Sequence, residues 1–223
     1  MKINKPGKII DINYLEALPV SDLEIQASGV EGIEILNRKS SLTKLSFIDC
    51  DDTDFTKLIN LPSLTDLSLS GNFPSINFIK KFQNIEKLKL QCGCESLSGI
   101  EELEKLSLLE ISGWSDTNGH VYRNHPLNSF KHLDRLKLKE LRFFTYSFNS
   151  DLISSLFEIV ESGTIKKISI DKCYNLYNEN NKNAYEFDIS QSLVTKFKNL
   201  NNVVDVYHHD DDYFGDSLEI TCI

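Results

Sequence analysis

Residues 64–72 read Leu64-Thr65-Asp66-Leu67-Ser68-Leu69-Ser70-Gly71-Asn72. Leucine occupies the first, fourth and sixth positions of this phrase, and asparagine occupies the ninth. Side chains of a β-strand alternate between two faces, so Leu67 and Leu69 are expected on one face and Asp66 and Ser68 on the other. A single phrase of this kind is a weak signal, and its meaning depends on whether it recurs at a fixed interval.

The phrase recurs along most of the chain. Counting Leu64, the first positions are 22, 22, 21 and 21 residues apart as far as Leu106, and then 27 and 32 residues apart. The further copies are Val20/Leu23/Ile25, Leu42/Leu45/Phe47, Ile85/Leu88/Leu90, Leu106/Leu109/Ile111, Leu133/Leu136/Leu138 and Ile165/Ile168/Ile170. This series predicts seven repeated strands, with extra chain length in the last two units.

A second apolar run lies between successive phrases, as in residues 55–61 and 97–103, with the three- and four-residue spacing of a short helix. Each unit is therefore predicted to be strand, turn and short helix. Residues 149–162 predict a longer amphipathic helix. Residues 8–10 predict a leading strand, and residues 203–206 and 218–220 predict closing strands.

The pattern and its period resemble the leucine-rich-repeat superfamily. This resemblance implies an α/β solenoid with a concave parallel β-sheet and short helices or irregular turns on the convex side. We expect a single domain over residues 1–223, with regular repeats over about 9–173 and a degenerate C-terminal capping region over about 174–223. The ninth position, where the family has asparagine, holds Ser28, Cys50, Asn72, Gly93, Trp114, Leu141 and Cys173. A continuous asparagine ladder is therefore not expected.

Composition narrows the range of partners. The chain has 24 basic and 33 acidic residues and a formal net charge of −9, which argues against nucleic acid as a general partner. Residues 1–8 lack the apolar segment of a secretory signal, and no stretch holds 18 consecutive apolar residues. We therefore expect a cytoplasmic protein with no membrane partner, and reduced thiols for its five cysteines.

In the repeated phrase, the residues between the leucine-type positions point away from the core. On the fourth to seventh repeats these outward residues carry an excess of cations, opposed by Glu110 and Asp171. We define the predicted basic strip as Lys87, Lys89, Arg135, Lys137, Lys139 and Lys167. The strip is predicted to bind an acidic patch of another protein. The alternative is that these cations only keep an exposed strand soluble.

A second predicted binding region lies at the C-terminal end and comprises Asp210, Asp211, Asp212, Tyr213 and Phe214. Its aromatic residues could anchor a partner or fill the capping core. With His208 and His209, these aspartates could also bind a divalent cation. A solvated acidic loop is the favoured interpretation, because the spacing matches no ordered metal motif.

The sequence offers little support for catalysis. The motifs G-x-x-x-x-G-K-[ST], G-x-G-x-x-G, H-E-x-x-H and G-x-S-x-G are absent. Cys92-Gly93-Cys94 lacks the spacing of a zinc site, and Cys50 and Cys173 suit small buried positions. His120, His125 and His132 have no partner that the sequence identifies. Trp114 and residues 115–128 predict an extended loop, in which Trp114 could serve either core or interface.

We therefore predict a non-enzymatic protein-binding module without cofactor, catalytic residues or metal. Small acidic repeat proteins of this family resemble inhibitors such as bacterial immunity proteins that neutralise a partner toxin, and this is the function that we favour. One alternative is an intracellular adaptor or a scaffold similar to phosphatase regulators. The other is a metal-dependent enzyme that uses His208, His209 and the neighbouring aspartates.

Overall fold

The computed structural model describes residues 1–71, 73, 75–112, 127, 129–144, 147–148, 150–171, 174–175, 191–209 and 217–223. Ten strands form one sheet in the order β1-β2-β3-β4-β5-β6-β7-β9-β12-β11, and β8 pairs with β10 in a separate two-stranded sheet. The strands are β1 (Lys2–Asp11), β2 (Asp22–Glu31), β3 (Lys44–Ile48), β4 (Asp66–Gly71), β5 (Lys87–Cys92), β6 (Leu108–Ser112), β7 (Glu140–Phe144), β8 (Ser147–Phe148), β9 (Lys167–Asp171), β10 (Tyr174–Asn175), β11 (Val203–His209) and β12 (Ser217–Cys222).

Neighbouring strands from β1 to β9 in the large sheet are parallel, and they follow one another in chain order. The last two strands are antiparallel, because β12 pairs with β9 and β11 pairs with β12. The predicted leading strand and both predicted closing strands are present. The chain thus folds as a leucine-rich-repeat solenoid.

The helical half of each regular repeat is a 3₁₀ helix. These helices are Asn13–Ala17, Ile33–Arg38, Phe55–Lys57, Asn77–Lys81, Ile100–Glu102 and Lys131–Leu133. Their closing bonds span three residues, as from the Leu103 amide to the Ile100 carbonyl at 3.0 Å. A unit of 21 or 22 residues that also contains a strand leaves little chain for a longer helix.

Among the described residues, two α-helices occur where the units are longer, α1 (Ser150–Glu161) and α2 (Gln191–Lys198). Helix α1 agrees with the helix predicted over residues 149–162. No helix in the described part of the chain is both long and apolar enough to cross a membrane.

The core lies between the sheet and the 3₁₀ helices. Leu67 and Leu69 of β4 are buried, whereas Asp66 and Ser68 are partly exposed, as the alternation predicts. The leucine-type residues of neighbouring strands lie side by side, with Leu67 between Leu45 and Leu88 in the register. Each repeat therefore covers the apolar face of the next, and one continuous core runs along the described chain.

The sixth repeat departs from the prediction. Strand β7 uses Leu141 and Phe143 as its buried residues, paired with Leu109 and Ile111 of β6. The predicted strand phrase Leu133/Leu136/Leu138 is therefore wrong. Leu133 ends the 3₁₀ helix, and the Leu136 amide donates to the Leu133 carbonyl at 3.1 Å, which keeps this segment in the turn.

The displaced register also corrects the position of three predicted binding residues. Arg135, Lys137 and Lys139 precede β7, and their side chains are exposed at the edge of the sheet where the strands begin. The residues of β7 that face away from the core are Glu140, Arg142 and Phe144. The prediction that Arg135, Lys137 and Lys139 lie on the concave strand surface is therefore wrong.

Other side chains connect the repeats where the asparagine ladder is missing. The Cys50 thiol donates to the Ile25 carbonyl of the preceding repeat at 3.7 Å, and the Val30 amide donates to the Thr53 hydroxyl at 3.0 Å. On the helical side, the Asn37 amide group donates to the Lys57 carbonyl at 2.8 Å, and its oxygen accepts from the Ile59 amide at 2.9 Å. Polar side chains of several types therefore satisfy backbone groups of a neighbouring repeat.

Candidate functional site

The concave surface of the sheet carries side chains in rows that run across the strands. In the first row, Asp22, Lys44, Asp66 and Lys87 are register partners on β2 to β5, followed by Leu108 on β6 and Glu140 on β7. The charge therefore changes sign at each of the first three steps. Opposite charges on neighbouring strands attract across the sheet, and this pattern favours the observed register.

The second row lies two residues further along each strand. It contains Lys2, Glu24, Ser46, Ser68, Lys89, Glu110, Arg142, Ser169, Glu219 and Tyr207 as successive register partners. Lys2 pairs with Glu24 at 2.6 Å, and Lys89 pairs with Glu110 at 2.6 Å. Between these two pairs, Ser46 and Ser68 leave a gap in the row of long side chains.

This gap forms a depression with a volume of about 300 Å³ on the concave surface. Ser46 and Ser68 are short, whereas the side chains around them are long and charged. The depression is lined by Asp22, Glu24, Asp66, Lys44, Lys87, Lys89, Ser46, Ser68, Leu108 and parts of Leu45, Leu67 and Leu88. Three carboxylates and three ammonium groups therefore surround a partly apolar floor.

Lys44 is the least neutralised cation of this ring. It lies between Asp22 and Asp66 in the register, yet no carboxylate of the described residues is within 4.0 Å of its ammonium nitrogen. Asp66 instead lies 3.7 Å from the Lys87 ammonium and accepts from the Thr65 hydroxyl at 2.8 Å. The Lys44 ammonium is thus available to a carboxylate of a binding partner.

A second charged group lies further along the sheet around Glu140. The Arg142 guanidinium donates to Glu140 at 2.7 Å and holds the pKa of that carboxyl below its ordinary value of 4.5, and the Lys167 ammonium adds to this effect. The same contact raises the pKa of Arg142. Glu140 is therefore ionised at neutral pH, and its contribution to stability is lost only as the pH falls through this lowered pKa.

The predicted basic strip thus divides into two sets. Lys87, Lys89 and Lys167 lie on the concave surface, and each has a carboxylate partner, at 3.7 Å from Asp66, 2.6 Å from Glu110 and 2.7 Å from Glu219. Arg135, Lys137 and Lys139 lie at the sheet edge instead. The strip is not one continuous surface, and its role in binding stays a prediction.

Sequence analysis missed Glu140, Arg142 and Phe144 as residues of the concave surface. A signal for them was present, because Leu138-Lys139-Glu140-Leu141-Arg142-Phe143 also fits the repeated phrase. Two overlapping phrases occur in this repeat, and the later one corresponds to the strand.

Several other predicted features lie outside the described residues. They include Asp210, Asp211, Asp212, Tyr213, Phe214, Trp114 and the loop over residues 115–128, except Leu127, which is buried. The backbone of His208 and His209 forms the end of β11, and the structure does not describe their side chains. Within the residues that the structure describes, no group of three or more His, Cys, Asp or Glu side chains is placed to hold a metal ion.

His132 has a partner that the sequence did not identify. Its Nδ1 lies 3.5 Å from the Glu101 carboxylate, which also accepts from the Gly99 amide at 2.7 Å. The two side chains join the 3₁₀ helices of successive repeats. This position suits a structural contact between repeats.

Cys50 has the buried environment that its repeat position predicts. Burial raises the pKa of its thiol to about 11, and the nearby Asp49 and Asp51 carboxylates add to this increase. A neutral thiol is a poor nucleophile. Burial also raises the pKa of the Cys222 thiol.

We therefore expect Cys50 to resist alkylation by iodoacetamide at pH 8 in the native protein and to react fully after denaturation. Peptide mass spectrometry after timed labelling measures this directly. The denatured sample is the control for intrinsic reactivity. Rapid native labelling of Cys50 would contradict its buried, neutral state.

No protein-family model and no curated protein sequence matches the chain. Among solved structures, the chain is similar to internalin C2 from Listeria monocytogenes str. 4b F2365, with 15% sequence identity and a TM-score of 0.37. The match covers 67% of this chain and 73% of the internalin chain. A likeness at this TM-score bears on neither the site nor the function.

Proposed function

We propose that this protein is a binding module that holds a partner protein against the concave surface of its sheet. The observation that carries the proposal is the depression around Ser46 and Ser68, with its ring of three carboxylates and three ammonium groups. A leucine-rich-repeat solenoid favours this role, because its stacked strands form an extended and curved binding surface.

The charges around the depression favour a protein over a polyanion. Asp22, Glu24 and Asp66 would repel a phosphate backbone, whereas a protein surface can present both a carboxylate to Lys44 and a cation to these acids. The partly apolar floor, which includes Leu108, suits an inserted side chain of the partner. Complementary charges around such a side chain would fix its orientation.

Within this class, we propose a cytosolic inhibitor, such as a bacterial immunity protein that neutralises a partner toxin. The support is the net charge of −9, which favours association with a basic partner, and the absence of common catalytic motifs from the sequence. Suppression of the partner's activity by the purified protein would distinguish an inhibitor from an adaptor.

The proposal is tested with a Ser68→Trp variant. The Ser68 side chain points away from the core, so an indole ring would fill the depression without changing the packing between repeats. We expect the affinity for the native partner to fall about 30-fold, which corresponds to about 2 kcal/mol, the loss typical of a central interface residue. The partner is first captured from an extract of the native host, and the affinities are then measured by calorimetry.

The matched control is Ser98→Trp, which makes the same change at a half-buried serine beside the 3₁₀ helix Ile100–Glu102. This variant should bind the partner as the unmodified protein does. Unchanged affinity of the Ser68→Trp variant would refute the concave site. An equal loss of affinity in both variants would point to a general effect on folding, which circular dichroism would detect.

A further inference from the structure

Four cations collect at the edge of the sheet where β7 and β9 begin. We define the basic edge as Arg135, Lys137, Lys139 and Lys166. All four side chains are exposed, and they precede the strands and lie off the concave rows. Residues 134–139 contain one acidic residue, Asp134, against three basic residues.

Backbone hydrogen bonds bring the two chain segments together. The Lys139 amide donates to the Ser107 carbonyl at 2.8 Å, and the Lys166 amide donates to the Leu138 carbonyl at 3.1 Å. Lys139 and Lys166 therefore stand at the starts of adjacent strands, about 4.8 Å apart along the sheet. Lys139 and Lys166 are therefore neighbours across the sheet although they are 27 residues apart in the chain. Lys137 lies two residues before Lys139 and adds a further charge to this cluster.

The cations of the basic edge differ from most cations of the concave surface, because no described carboxylate neutralises them. Among the described residues, no carboxylate lies within 4.0 Å of Arg135, Lys137, Lys139 or Lys166. Lys89, Arg142 and Lys167 each have a carboxylate within 2.7 Å. The positive potential of the edge is therefore not cancelled locally, although the whole chain has a net charge of −9.

We propose that the basic edge binds an acidic segment of the partner protein, beside the part that enters the concave depression. This inference rests on the proposed function, since it assumes that the partner is a protein. Strand β7 lies four strands from β3, so the edge and Lys44 are separated by roughly 19 Å across the sheet. One protein partner can span that distance.

The charge distribution favours an acidic protein segment over a nucleic acid. Glu110 and Glu140 lie on the concave surface of β6 and β7, next to the basic edge, and would repel a long phosphate backbone. A short acidic segment can meet the edge without crossing these carboxylates. Unneutralised cations at such a position mainly increase the association rate, and salt weakens their effect.

The test measures binding of a fluorescein-labelled peptide of ten glutamates by fluorescence anisotropy at low ionic strength. The variant Lys137→Gln/Lys139→Gln/Lys166→Gln removes three charges from the edge. The matched control, Lys5→Gln/Lys8→Gln/Lys57→Gln, removes three exposed charges elsewhere. We expect the edge variant to bind the peptide about tenfold more weakly than the unmodified protein and the control variant to stay within about twofold.

Two results would overturn the proposal. One is an equal affinity of the edge variant and the control variant for the peptide. The other is tighter binding of a ten-nucleotide oligothymidylate than of the peptide, lost through the same three substitutions, which would assign the edge to nucleic acid. Circular dichroism of both variants establishes that each is folded.

Failure here is distinguishable from failure of the proposed function. Ser68→Trp leaves the basic edge intact and should not change peptide binding. If Ser68→Trp weakens partner binding but the edge variant binds the peptide normally, the concave site stands and the edge proposal fails. If the edge variant loses the peptide but Ser68→Trp binds the partner normally, the edge proposal stands for peptide recognition and the concave site fails.

Discussion

A Phe143→Ala variant is expected to lose about 4 kcal/mol of unfolding free energy, the largest effect among the substitutions considered. Phe143 is 1% exposed on β7. Its ring centroid lies 5.1 Å from that of Phe130 and 5.0 Å from that of Phe148. Truncation would leave a cavity between the sheet and the 3₁₀ helix of the same repeat. Urea unfolding followed by circular dichroism gives the free energy.

The control is the next residue, because Phe144 is 41% exposed and points to the other face of the sheet. Phe144→Ala makes the same chemical change and should cost less than about 1 kcal/mol. The pair tests the register of the sixth repeat, since a shift by one residue would exchange the two faces. A larger loss for Phe144→Ala than for Phe143→Ala would contradict this register.

A Lys39→Met variant is expected to lose about 3 kcal/mol of unfolding free energy. The Lys39 side chain is buried, and its ammonium donates to the carbonyls of Leu15 at 2.5 Å, Glu16 at 2.7 Å and Leu18 at 3.0 Å. Methionine removes the cost of burying a charge, but it also removes the donor to the part-buried carbonyls of Glu16 and Leu18, whereas the Leu15 carbonyl still accepts from the Leu18 amide at 2.9 Å. Each orphaned acceptor costs about 1–3 kcal/mol, so the loss of these bonds is expected to dominate.

Arg38→Met is the matched control for Lys39. Arg38 pairs with Glu16 at 2.8 Å, but both side chains are largely exposed. Such a surface pair contributes little, so this variant should stay within about 1 kcal/mol of the unmodified protein. Thermal and urea unfolding of both variants check the difference. Equal stability of the two would contradict the role of the buried ammonium in connecting the first two repeats.

The regular part of the fold was predictable because its signal is local and repeated. The phrase with leucine at positions one, four and six identified β2 to β6 and their buried faces, since strand alternation fixes which side chains face the core. The sixth repeat was not predictable in the same way. Leu138 ends one acceptable phrase and begins another, and the choice depends on hydrogen bonds between the Ser107 carbonyl and the amides of Lys139 and Glu140.

The candidate site was predictable only in part. The repeated phrase identifies Lys87, Lys89 and Lys167 as outward-facing cations but does not show which carboxylates lie beside them. Their neutralisation depends on the register between strands, which places Asp66, Glu110 and Glu219 beside them. The depression likewise depends on two short residues, Ser46 and Ser68, being register partners.

Lys39 shows why burial is hard to infer from residue type alone. In each later repeat, the backbone amide of a leucine-type residue donates to the carbonyl three residues earlier. The accepting residue is apolar in these repeats, namely Leu61, Phe82, Leu103 or Leu133. Lys39 occupies this apolar position in its own repeat. An alignment of the repeats identifies Lys39 as a charged residue at an otherwise apolar position. The alignment does not reveal its hydrogen bonds, because the three acceptor carbonyls lie 21 to 24 residues earlier in the chain.

Photo-crosslinking to the partner tests the binding surface most directly. p-Benzoylphenylalanine is placed at position 68 on the concave surface and, in a second protein, at position 59, where Ile59 is exposed on the helical side. Each protein is irradiated in an extract of the native host, and crosslinked products are identified by mass spectrometry. We predict one specific partner crosslinked from position 68 and none from position 59. Crosslinking of the partner from position 59 alone would contradict binding through the concave surface.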